Sequence, residues 1–164
     1  MTRSICSSIF VLLAVVLLAR IYAEAQDAGS AGDKLTITQP SRDGMSAGCR
    51  VNIQGRAVLR PGEHAWAFAA RTNFSDLGLV WLQGEVEVDP TTHEYSLPVA
   101  LGIADDVGSS FRVSVGIVDE STNNKLRNKL MDMMTNNRHL PVPFPQTVSA
   151  PKHRTVKKVS HEGC

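Results

Sequence analysis

A mostly β fold is predicted: an antiparallel sandwich or barrel of about seven strands, with one α-helix inserted before the last strand. Three observations predict it. Apolar and polar residues alternate with a period of two in several separate stretches, turn-forming residues divide those stretches at regular spacing, and one late segment switches to helical spacing.

The first strand is Lys34–Thr38, closed by Gln39-Pro40. In Arg50–Val58, Val51, Ile53, Gly55 and Ala57 alternate with Arg50, Asn52, Gln54 and Arg56, which marks a strand with one buried face. Arg60-Pro61-Gly62-Glu63 supplies turn dihedrals. His64–Arg71 is apolar on both parities, as a central strand covered on both sides would be. Leu79–Asp89 alternates again, with Val86 and Val88 between Glu85, Glu87 and Asp89, until Asp89-Pro90 breaks it. Tyr95, Leu97, Val99 and Leu101 share one face of the next strand. After the small, polar loop 102–110, Phe111, Val113, Val115 and Ile117 form the clearest strand in the chain.

Between Ser121 and Asn137, Leu126, Leu130, Met133 and Met134 fall at i, i+4, i+7 and i+8, one apolar stripe of a helix that Ser121 or Thr122 would cap. The methionines are expected in core packing. Leu140–Pro151 holds four prolines and is expected as an extended crossing without regular hydrogen bonding, and Thr155–Ser160 is the last strand.

Ile37-Thr38-Gln39-Pro40, Val51 to Gly55, His64-Ala65-Trp66, Trp81-Leu82-Gln83 with Val86 and Val88, Leu101-Gly102 leading to Asp106-Val107-Gly108, and Phe111 to Asp119 occur in this order. In that order the chain resembles small immunoglobulin-like β-sandwich modules of exported bacterial proteins, most without assigned function. The resemblance covers most of residues 34–160. It implies a fold and brings no catalytic residues across, and a shared sandwich does not settle function.

The N-terminus predicts export. Arg3 precedes an apolar run, Ile5–Ala19, and Ala23-Glu24-Ala25 places small residues where a signal peptidase reads them, so residues 1–25 read as a signal peptide cleaved before Gln26. A membrane anchor would want about 20 apolar residues, and this run is shorter and stops at Arg20. Residues 26–33 are small and polar, a flexible leader, and residues 34–164 form one domain. The expected location is periplasmic or extracellular, with no membrane span after cleavage. With 17 Lys and Arg against 16 Asp and Glu, the chain gives no general reason to expect nucleic acid as a partner. Lys152, Arg154, Lys157 and Lys158 make the C-terminal segment basic, as suits a solvated edge strand protected from aggregation, with an interaction tail as the alternative.

Candidate chemistry is sparse. After cleavage only Cys49 and Cys164 remain. Alternating strand directions would bring them to the same end of the sandwich, and an intramolecular bridge, two free thiols or a bridge between chains stay open. His64, His93, His139, His153 and His161 show no paired ligand spacing, so no metal or other cofactor is expected. Asp105-Asp106 beside Gly108 suits a turn better than a calcium loop. Glu85 and Glu87 fall on the polar face of a strand, no serine stands in a GxSxG context, and no catalytic residues are assigned. Asn73-Phe74-Ser75 fits the N-glycosylation pattern, which matters only in a eukaryotic secretory host.

Two tryptophans remain. Trp66 is expected as the core ring of the sandwich. If Leu82, Val86 and Val88 share the core-facing parity, Trp81 falls with Gln83 on the other face, unless a bulge at Gly84 shifts the register. Trp81 and Gln83 are therefore the candidate ligand-binding residues. The function expected is an exported, non-catalytic binding module for a protein or cell-envelope polymer, through the Trp81 face or the basic last strand. The alternatives are a carbohydrate-binding or hydrolytic accessory protein using an exposed Trp81, and a structural assembly subunit.

Overall fold

The structure, a computed structural model, describes residues 33–164. The expected signal peptide and all of the leader but Asp33 lie outside the described residues. In chain order the strands are β1 (Leu35–Gln39), β2 (Met45–Ala47), β3 (Arg50–Ala57), β4 (Glu63–Arg71), β5 (Leu79–Val86), β6 (Glu94–Ala100), β7 (Ser110–Asp119), β8 (Val142–Pro143) and β9 (Lys152–Lys158). Helix α1 (Thr72–Ser75) joins β4 to β5, and α2 (Glu120–Thr135) follows β7 directly.

The molecule is mostly β, in two sheets. The smaller has the order β1-β3-β6 and the larger β2-β9-β7-β4-β5-β8. Alternation decides what lies between them. Ile53, Val99 and Tyr95 from the smaller sheet pack against Val113, Val115, Ile117 and the alanines 65, 67 and 69 from the larger, all buried. Small alanines on β4 let the sheets approach closely there, while the large residues of β4 point the other way.

Those large residues, Trp66 and Phe68, form a second core on the outer face of the larger sheet with Val80, Leu82, Val118 and Leu126. Trp66 is fully buried, yet beneath α2 rather than between the sheets, which corrects the expected sandwich-core position. Its indole N–H donates to Asn123 Oδ1 at 2.7 Å, giving a buried polar tip the partner it requires. β4 is therefore covered on both faces, as its composition predicts.

Several expectations are corrected. The strands among the described residues number nine rather than about seven, because β2 and β8 have three and two residues, too few to show a period. The sheets are not wholly antiparallel, since β2 runs parallel to β9. Two strands follow α2, not one. The proline-rich segment, expected without regular hydrogen bonding, pairs with β5 through β8, while Phe144 N–H reaches Gly78 O and Val148 N–H reaches Ile117 O, both at 2.8 Å. Asp119, not Ser121 or Thr122, caps α2 by accepting from Thr122 N at 2.7 Å, because β7 runs straight into the helix. Met134 is 63% exposed, since at 100° per residue it lies about 80° from Leu126 and leaves the buried stripe. The final strand is no edge: β9 pairs with β7 on one side and β2 on the other, and Lys158 is fully buried.

Candidate ligand-binding pocket

β5 decides which side chains meet which face. Gly84 pairs with Ala67, and Leu82 with the next residue, Phe68, so Gln83 is the extra residue of a bulge that Gly84 permits at φ 136°. The bulge puts Val80 and Leu82 in the outer core and Val86 between the sheets, which overturns the shared parity expected of Leu82 and Val86. Trp81 is half-buried, edge-on to Phe74 with ring centroids 5.3 Å apart, and its indole N–H donates to His139 O at 3.2 Å. Gln83 Oε1 accepts from Ala100 N at 2.8 Å, tying β5 to β6. The Trp81 indole N–H and Gln83 Oε1 thus have internal partners, and the two residues lie on either side of Leu82 in β5 rather than around one cavity.

A cavity of about 180 Å³, partly open to solvent, lies elsewhere, on the outer face of the larger sheet. Trp66 and Phe68 fill that face beside α2, but the next residue of the same parity in β4 is Ala70, and the filling stops there. Opposite Ala70 in register stands Arg112, and the next outward residue of β7 is Ser114, which faces His153 of β9. The proline-rich segment roofs this gap. It is tied to β5 by the Val80–Val142 and Leu79–Pro143 pairs, and Phe144 packs on Phe68 with centroids 4.9 Å apart. Gly116 lets the segment pass closely, since a Cβ there would meet Thr147 Cγ2 at 2.8 Å.

The pocket has an apolar floor and walls from Ala70, Val80 and Phe144, and a polar side from Arg112, Ser114 and His153. Ser114 is 5% exposed. Among the described residues the buried Nε of Arg112 has no hydrogen-bond partner and its only ion pair is Nη2 to Asp76 Oδ1 at 3.7 Å, with the Asp76 side chain 70% exposed. Ser149 Oγ, in the roofing segment, is also buried and unpartnered. Such a combination can hold a compact ligand and present it a fixed positive charge.

Other polar clusters have structural partners. His64 of β4 faces Glu85 Oε1 at 2.8 Å through Nδ1 and Glu120 Oε2 at 2.7 Å through Nε2, while Arg127 Nη2 reaches Glu85 Oε2 at 2.6 Å. The cluster fastens α2 to the sheet. Asp106 accepts from Ile103 N at 2.9 Å and pairs with Arg71 at 3.0 Å, both within its own end of the sandwich. Lys158 Nζ donates to Leu101 O at 3.1 Å and to Ile103 O, and lies 3.6 Å from Cys164 Sγ. Cys49 and Cys164 are joined by a disulfide, with Cα atoms 4.9 Å apart. Among the described residues no group of three or more His, Cys, Asp and Glu side chains is placed to hold a metal ion, and no helix is long and apolar enough to cross a membrane.

Reading the sequence alone did not single out Arg112 or Ser114. The signal lies in three polar residues, Ser110, Arg112 and Ser114, on the second parity of β7, whose remaining positions there, Gly116 and Val118, are not polar. No family model matches the chain, and no curated protein matches it either.

Proposed function

We propose that the chain is an exported, non-catalytic binding module of immunoglobulin-like type that captures its ligand in the pocket beside Arg112. The observation that carries this reading is the pocket itself: apolar walls, a polar side and a guanidinium whose Nε–H has no acceptor among the described residues. The ligand is a small molecule, or a group projecting from a protein or cell-envelope polymer. Export is supported by the signal-like N-terminus and by a disulfide, which persists in oxidising compartments. The immunoglobulin-like assignment is supported by two sheets packed through alternating strands. The helix-covered outer face, where Trp66 sits, is its main departure.

The test is an NMR fragment screen of the oxidised protein, reading amide shifts. Clustering of the perturbations on Val80, Ser114 and Phe144 is the expected result, and binders that leave those amides unmoved would refute the pocket as the site. The Phe74–Trp81 pair favours a second reading, a carbohydrate platform, and oligosaccharides that shift the Trp81 indole but not Ser114 would establish it instead.

A further inference from the structure

We infer that the pocket selects a compact monocarboxylate: an apolar body of one ring or about six carbons, with its carboxylate paired to Arg112. This rests on the pocket being the binding site. Size limits the body. A cavity of about 180 Å³ is little larger than the roughly 150 Å³ engineered cavity that takes up benzene. It falls below the roughly 300–1,000 Å³ range of pockets that swallow larger ligands, so a sugar chain does not fit inside. Ala70, Val80 and Phe144 supply apolar contact for a ring or short chain, and Ser114 offers a hydroxyl on the polar side.

Charge selects the remaining group. A guanidinium is a planar fork that matches a carboxylate through two parallel N–H donors. In Arg112 the Nε–H is buried with no acceptor among the described residues, and Asp76 at 3.7 Å from Nη2 is beyond hydrogen-bond distance and mostly in solvent. A ligand carboxylate would satisfy the donor that the fold leaves empty, with His153 as a second polar neighbour at the rim. Asp76 is then a competitor for the same fork rather than its permanent partner.

The experiment titrates the ¹⁵N-labelled oxidised protein with benzoate, with benzyl alcohol as the neutral analogue of similar shape, and with inorganic phosphate as a bare anion. The expected result is that benzoate shifts the Arg112 Nε–Hε and Ser114 amide signals and binds at least about tenfold more tightly than benzyl alcohol. Asp76→Asn, a change at an exposed position, should tighten benzoate binding, while Arg112→Gln should bring it down to the alcohol's affinity. Equal binding of benzoate and benzyl alcohol in the pocket overturns the carboxylate inference and leaves the pocket standing as a site. Phosphate binding as tightly as benzoate also overturns it, because the apolar body then contributes nothing. If none of the probes moves the pocket signals, both the inference and the pocket reading fail.

Discussion

His64 stands between two carboxylates, and an imidazole can donate from both ring nitrogens only when it is protonated. Burial pulls its pKa down, but the hydrogen bonds to Glu120 and Glu85 and the charges of both outweigh that pull, and the net value is raised from 6.5. Arg127 and Asn124 complete the surroundings, on Glu85 and Glu120 respectively. A folded value above the unfolded one means that protonated His64 stabilises the native state. That contribution is complete below the unfolded value and disappears as pH rises through the folded one. Glu120 has the opposite sign: its pKa is lowered, first by the His64 hydrogen bond, so its contribution is lost as pH falls through that depressed value. The urea midpoint of the wild type should therefore decline as pH rises from 6.5 through the raised folded value, and His64→Gln should flatten that decline. Parallel profiles for the two proteins would remove His64 from the account.

At the scale of elements, two glycines show how local backbone sets the larger arrangement. Gly84 carries the bulge that divides β5 between two cores. Gly55 in β3 lies where β1 and the Tyr95 ring converge, and Tyr95 Oη donates to Thr36 O at 2.8 Å across it. A Cβ on Gly55 would overlap the Thr36 carbonyl oxygen and the Tyr95 ring. Gly55→Ala should lower stability by about 1–3 kcal/mol, the usual effect of overpacking, measured by equilibrium denaturation. An unchanged midpoint would mean that β1 shifts freely. Alternation made β3 and β7 legible almost to the residue, and an apolar run on both parities did the same for β4. Expected β9 began three residues late, at Thr155 instead of Lys152, because His153 and Arg154 carry no apolar signal. The helical stripe located α2, but only the observed direct run from β7 shows that Asp119 is its cap.

Across the whole molecule, the C-terminus is fastened back to the start of β3. Cys49 N donates to Glu162 O at 2.6 Å, and the disulfide spans a sequence separation of 115. Closing so long a loop is worth about 4–5 kcal/mol in the chain-entropy model. Reduction, or Cys164→Ser, should lower the denaturant midpoint accordingly, and a midpoint insensitive to reductant would show that the rest of the fold already confines the chain's end. Charge behaves differently at this scale than composition implies. The basic final strand, readable as a solvated edge, is instead held between two neighbours, and the buried ammonium of Lys158 is spent on the carbonyls of Leu101 and Ile103.

The order of apolar and polar residues by itself determined that the chain is mostly β, where its long strands lie, and that one helix follows the clearest of them. Those are local properties, set by side-chain periodicity and turn chemistry within a few residues. Tertiary structure alone decided the rest. A period of two separates the faces of a strand but does not say what covers each, so only the folded chain shows the roof of the proline-rich segment over Arg112 and Ser114. The parallel pairing of β2 with β9, and the seating of Trp66 under α2 rather than between the sheets, likewise depend on contacts between residues far apart in sequence. The candidate pocket is a consequence of those contacts: Ala70 leaves a gap beside Phe68, and Phe144 closes over it without filling it.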